Sequence, residues 1–133
     1  MTDLVFFYGT LMSGFRRPGR AGLDHQLLGV GRGWIRAALF DLGIYAAAVP
    51  ADDTVVWGEV YRMLNRDGVL ETLDDIEGYR PSEPDASLYN RVVTPVTFED
   101  GRVVPAWVYF YNAPLGRAER IESGDYLQYL LIR

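Results

Sequence analysis

Leu4-Val-Phe-Phe-Tyr-Gly-Thr-Leu11 is the stretch on which the reading of this chain turns. Leu4 to Tyr8 is an unbroken run of large apolar and β-branched residues, the pattern of a strand buried on both faces. The run stops at Gly9, and the next polar side chain is Thr10. A glycine there lets the backbone turn with its amides exposed, or lets it approach a ligand closely. Alone, the motif is either an ordinary turn or a cradle for an anion or oxyanion.

Composition narrows the chemistry available. A chain of 133 residues is read as one domain, 1–133, which buries roughly 68% of the surface its unfolded chain exposes. With 49% hydrophobic and 14% aromatic residues, it has material for a full core. The net charge of −5, with no basic run longer than Arg16-Arg17, argues against nucleic acid and anionic membranes as partners. No cysteine is present, which removes disulfides, thiolate nucleophiles and zinc–sulfur sites. The single histidine, His25, provides no metal-binding cluster and has no convincing nucleophile beside it. All 13 basic residues are arginine, so Schiff-base and P-loop lysine chemistry are excluded. No apolar run approaches the ~20 residues of a membrane span, and no signal pattern opens the chain. The expectation is a cytoplasmic protein whose chemistry falls to carboxylates, tyrosines, hydroxyls and backbone amides.

Residues 13–22 (Ser-Gly-Phe-Arg-Arg-Pro-Gly-Arg-Ala-Gly) read as a loop. Its arginines either neutralise a substrate carboxylate or make surface ion pairs. Leu23 to Leu28 reads as a short helical turn. Gly29-Val-Gly-Arg-Gly-Trp34 misses the dinucleotide spacing, because the third glycine would have to stand where Trp34 does. Trp34 to Leu42, Ile44 to Val49 and Val55 to Leu64 read as strands, separated by Gly43 and by Pro50-Ala-Asp-Asp53. In the last of them Glu59 lies between Trp57 and Tyr61, as a pocket carboxylate or as an edge residue. Tyr89 to Phe98 and Val103 to Tyr111 pair as a hairpin across Glu99-Asp100-Gly101-Arg102. Trp107, Tyr109 and Tyr111 share a face that either walls a pocket or fills the core. The apolar-aromatic tail from Ile121 is expected to dock on the sheet.

Asn65 to Tyr79 is the one clear helix, with Asn65 or Asp67 as its cap and Gly78 at its left-handed end. Val69, Leu70, Leu73 and Ile76 form its apolar stripe, and Glu77 falls on that stripe four residues after Leu73. Asp75 points away, and Asp74 lies at the boundary. Glu77 faces apolar surroundings from the last turn, where the helix dipole repels anions, and both effects raise a carboxyl pKa. It is either a proton carrier working near neutrality or a structural partner of Arg80 or Arg91.

Phe7-Tyr8-Gly9-Thr10-Leu11, Leu73-Asp74-Asp75-Ile76-Glu77-Gly78-Tyr79 and the Tyr-x-Arg of Tyr89 and Arg91 together resemble the gamma-glutamylcyclotransferase-like family. Gly58-Glu59-Val60-Tyr61 is similar to a further motif of that family, and Tyr-Gly-Thr-Leu suits its gamma-glutamylamine branch. The match runs in order over residues 4 to 112. It implies an α+β fold: a mainly antiparallel, barrel-like sheet around a pocket, with the helix alongside. It also implies cyclisation of γ-glutamyl amino acids or amines to 5-oxoproline, with no cofactor and with a small-molecule γ-glutamyl substrate as partner, the oligomeric state being left open. By the same resemblance Glu77 is the base, and Tyr8, Gly9, Thr10 and Leu11, with Tyr89 and Arg91, contact the substrate. The alternative is a non-catalytic binding or interaction domain that keeps the pocket. Because the composition offers no metal-ligand cluster, chelator is expected to leave both activity and folding midpoint unchanged. Melting curves and turnover measured with and without chelator check this, and a clear loss of either would reveal a metal site.

Overall fold

The structure, a computed structural model, describes residues 1–132. Its first strand, β1 (Leu4–Phe7), is buried along its whole length, as four consecutive apolar residues require. One edge of β1 pairs antiparallel with β3 (Ala46–Met63), from Leu4 opposite Arg62 to Phe7 opposite Glu59. The other edge pairs parallel with β5 (Val103–Tyr111), Val5 opposite Trp107. β4 (Tyr89–Phe98) continues the sheet beyond β5, and β2 (Leu27–Asp41) continues it beyond β4. A long ladder between β2 and β3 closes the circuit. The result is a closed five-stranded mixed barrel, extended by the two-residue β6 (Glu119–Arg120) on β2. The α+β, barrel-like reading therefore holds. Phe6, Ile35, Leu39, Val56, Val60, Val96 and Val108 are fully buried in its core.

Two strand boundaries depart from the sequence reading. β2 begins at Leu27, seven residues before Trp34, so the glycines at 29, 31 and 33 lie inside the strand. Gly33 there stands opposite Phe98 of β4, at the crossing of the two strands. Likewise Pro50 does not interrupt β3. Pro50 faces Ala37, and the next partner across the ladder is Val55 opposite Arg36. Residues 51–54 are thus a bulge, where a proline is tolerated. The Thr54 hydroxyl fastens it by donating to the Ala37 carbonyl at 2.6 Å.

The β4–β5 hairpin forms as expected, with Gly101 at φ 92° in the turn. α1 (Arg66–Glu77) lies against the sheet, its Val69, Leu70 and Leu73 buried. The tail forms α2 (Tyr126–Ile132) and docks through Tyr126, which stacks on Phe15 at 5.8 Å, while Leu131 and Ile132 stay exposed. No helix among the described residues is long and apolar enough to cross a membrane.

Gly58 marks the tightest approach around β1. A Cβ built there would stand 2.2 Å from the Phe7 carbonyl oxygen and 2.7 Å from the Phe6 ring. Gly58→Ala must push β1 off β3, so it is expected to cost at least the ~1–3 kcal/mol of an overpacked core. Denaturant unfolding of this variant checks the figure; wild-type stability would mean that β1 moves freely against β3.

Candidate functional site

α1 delivers one carboxylate to the place where β1 ends. Asn65 caps it by accepting from the Gly68 amide, and Gly78 ends it in the left-handed region at φ 68°. The twelve residues between place Asp74 and Glu77, one turn apart, both in the interior. Their surroundings differ. Asp74 accepts a two-pronged contact from Arg91, at 2.8 and 3.1 Å, and a 2.7 Å hydrogen bond from the Tyr109 hydroxyl. Among the described residues Glu77 has only the Arg17 guanidinium as a partner, 3.9 Å away. Burial is the main influence on Glu77 and raises its pKa to about 7, with Arg17 opposing the rise. Asp75 is exposed, as its helical position requires.

The turn after β1 meets this helix end. The Met12 amide donates to the Gly9 carbonyl at 3.0 Å, closing the turn, while the amides of Gly9, Thr10 and Leu11 donate to no acceptor among the described residues. Gly9 is not in the left-handed region, so no positive φ makes a glycine necessary there. The constraint is spatial: a Cβ there would stand 3.2 Å from the Ala46 Cβ. Tyr89 belongs to the same wall, since its hydroxyl donates to the Ala46 carbonyl at 2.9 Å. Tyr8 ties β5 to β3, donating to the Tyr109 carbonyl at 2.6 Å and accepting from the Ala48 amide at 3.3 Å. Burial, with Glu77 as a smaller influence, pushes the pKa values of Tyr8 and Tyr89 up. Near neutrality these tyrosines are donors and Glu77 is the group able to exchange a proton.

Of the residues singled out in the sequence, Tyr8, Gly9, Thr10, Tyr89 and Glu77 meet here, with Leu11 buried in the turn. Arg91 does not reach Glu77. Its guanidinium is spent on Asp74 and packs over Trp107 at 4.6 Å and Tyr79 at 5.4 Å. Neither Arg80 nor Arg91 is the ion-pair partner of Glu77; Arg17 is. Arg17 and Arg20 of the loop are not surface residues either, whereas Arg16 is exposed. Arg20 is buried, donating to the Leu11 carbonyl at 2.9 Å and pairing with Asp24. Glu59 lines a cavity together with Trp57, Tyr61 and Asp125, one that Glu77 does not line. It accepts from the Ser13 amide and hydroxyl and from the Tyr61 hydroxyl, at 2.7–2.8 Å, so it also anchors the loop to β3. Arg17 and Ala46 carried no periodic signal, and only the fold brings them to the site.

A family model described as gamma-glutamyl cyclotransferase, AIG2-like, matches residues 5–128. A Vibrio cholerae protein provisionally named a gamma-glutamylcyclotransferase is 36% identical over 129 residues, covering 96% of this chain and 98% of the relative. The gamma-glutamylcyclotransferase family protein YtfP of Escherichia coli K12 is 35% identical over 89 residues, 67% of this chain and 66% of the relative. Its solution structure superposes with a TM-score of 0.66 at 29% identity, covering 95% of this chain and 97% of that one. The crystal structure of an AIG2-like protein from Mus musculus gives a TM-score of 0.67 at 27% identity, covering 92% and 88%.

A carboxyl with a raised folded pKa holds its proton more tightly folded than unfolded. Its contribution to stability is complete below the unfolded pKa near 4.5 and is lost as pH rises through about 7. The loss amounts to about 3 kcal/mol at most. Glu77→Gln is therefore expected to be neutral near pH 4 and to raise the melting temperature progressively up to pH 8. Melting curves across that range check it; a variant destabilised at pH 8 would make Glu77 a structural ion-pair residue.

Proposed function

The chain belongs to the gamma-glutamyl cyclotransferase, AIG2-like family, and from that membership we propose that it cyclises γ-glutamyl amino acids or amines to 5-oxoproline, releasing the amine. One observation carries the reading: a buried, weakly paired Glu77 is joined through Arg17 to a turn in which the amides of Gly9, Thr10 and Leu11 donate to no acceptor among the described residues. The reaction needs little else. The substrate's α-amino nitrogen attacks its own γ-carbonyl carbon, so the protein supplies no nucleophile. It must fold the substrate so that nitrogen meets carbonyl, which replaces a rare encounter by a held geometry.

Each group then has one task. Glu77, as carboxylate, takes a proton from the α-ammonium and frees the lone pair. As the new C–N bond forms, the carbonyl oxygen becomes an oxyanion, and amide donors of residues 9–11 are suited to it. When the tetrahedral centre collapses, Glu77 returns its proton to the leaving nitrogen and the bond to that amine breaks. The second proton of the new ring nitrogen passes to the departing amine, which leaves as an ammonium and the ring as the lactam N–H. A carboxyl titrating near neutrality serves both directions. Tyr8 and Tyr89 hold the wall in shape, their hydroxyls committed to backbone groups. In this reading Arg91 acts at a distance, fixing α1 through Asp74, and not by touching substrate.

Two variants test the proposal. Glu77→Gln is expected to lower 5-oxoproline formation by the ~10²–10⁴ typical of a lost general acid–base, with product binding kept. Turnover retained by a folded Glu77→Gln protein would end the assignment, and wild-type product binding without turnover on any γ-glutamyl compound would leave a binding domain. Gly9→Val, whose branched side chain must displace Ala46, is expected to abolish 5-oxoproline binding in a folded protein. Titration calorimetry reads this directly, and undiminished binding would reduce Gly9 to an ordinary turn.

A further inference from the structure

Arg17 is the basic side chain whose charge acts on Glu77, and it touches both halves of the site at once. One terminal nitrogen donates to the Thr10 hydroxyl in the β1 turn at 2.7 Å. The other donates to the Ile76 carbonyl at the end of α1, at 3.4 Å, and stands 3.9 Å from Glu77. Its carbon lies 4.2 Å above the Tyr45 ring, and only 11% of the side chain is exposed. Nε has no acceptor among the described residues. Taking a guanidinium out of water costs several kcal/mol unless a counter-charge and full hydrogen bonding offset it. Here a hydroxyl, a distant carbonyl, a ring face and a loosely placed carboxyl stand in for a close carboxylate. The loop that carries Arg17 is nevertheless fixed at both ends, by Glu59 on Ser13 and by Arg20 on the Leu11 carbonyl.

A γ-glutamyl compound carries one charge that the proposed reaction leaves unmatched. The carbon bearing its attacking amine also bears a carboxylate. We propose that Arg17 receives this α-carboxylate, so that the protein selects substrates whose glutamyl end is a free α-amino acid. An arginine and a glutamate a few ångströms apart are the complement of such a zwitterion, carboxylate on Arg17 and ammonium on Glu77. The inference rests on the cyclotransferase reading and adds to it a specificity residue. It also gives binding a chemical consequence. Once Arg17 is engaged by the carboxylate, less of its positive charge acts on Glu77, and Glu77 becomes the stronger base at the moment one is needed.

The test compares 5-oxoproline with its neutral carboxamide, by calorimetry, on wild type, Arg17→Gln and Arg17→Lys. Wild type is expected to prefer the acid by at least about tenfold, the worth of one charge-assisted contact. Arg17→Gln should bind the two compounds equally. Arg17→Lys keeps the buried charge but not the fork, and should keep part of the preference. On a γ-glutamyl substrate Arg17→Gln should raise KM more than it lowers kcat. It should also move the acid limb of kcat/KM to higher pH, a shift that a merely structural residue would not cause. An undiminished preference in either folded variant, or equal binding of the two compounds by wild type, would overturn the role of Arg17 while leaving cyclisation intact. Wild type binding neither compound and producing no 5-oxoproline would instead bring down the cyclotransferase reading, and this inference with it.

Discussion

A strand of four apolar residues has no wet face, so every side of β1 must be covered by something else. That constraint organises the molecule. β3 and β5 take its two edges. Phe7 packs on Tyr61 at 5.5 Å, and Arg20 from the following loop spans both rings. Because β1 is enclosed so completely, the turn that leaves it is anchored more rigidly than a surface loop. Precise placement of backbone donors needs that kind of anchoring. The structural demand and the chemical demand thus fall on the same eight residues.

Helix α1 shows how two carboxylates one turn apart are given different work. Asp74 and Glu77 are each 8% exposed, so burial alone does not separate them. Asp74 receives three donors from Arg91 and Tyr109 and becomes a bracket between α1 and the β4–β5 hairpin. Glu77 sits at the negative end of the helix with one distant cation. Desolvation is compensated at the first and left standing at the second. The stability forgone at Glu77 is what its proposed role as a proton carrier would demand of it.

Much of this was legible in the sequence, and the reasons differ by element. The inward placement of Glu77 follows from helical spacing after Leu70 and Leu73, and Gly78 fixed where the helix stops. The β4–β5 hairpin follows from Asp100-Gly101. Pro50 of β3 misled, because a proline reports backbone tolerance and not whether a bulge uses it. Partner choice was illegible for a different reason. Whether Arg17, Arg80 or Arg91 faces Glu77 depends on how a loop folds over the barrel end, and no periodicity encodes that. Glu59 belongs with these, since its partner Ser13 lies 46 residues away.

The parallel pairing of β1 with β5 also has a bearing on how the protein comes into being. Val5 rests beside Trp107, and the Tyr8 hydroxyl bonds a carbonyl 101 positions further along. Contacts this distant in the chain delay folding, because the loop between them must close before they contribute. Because synthesis runs from the amino end, β1 emerges before β5 and lacks one edge partner until β5 has been made. During that interval a short, highly apolar stretch with an open edge is exposed, the kind of surface that chaperones bind and that aggregates form around. β1 and the turn after it are thus made well before the strand that completes their setting.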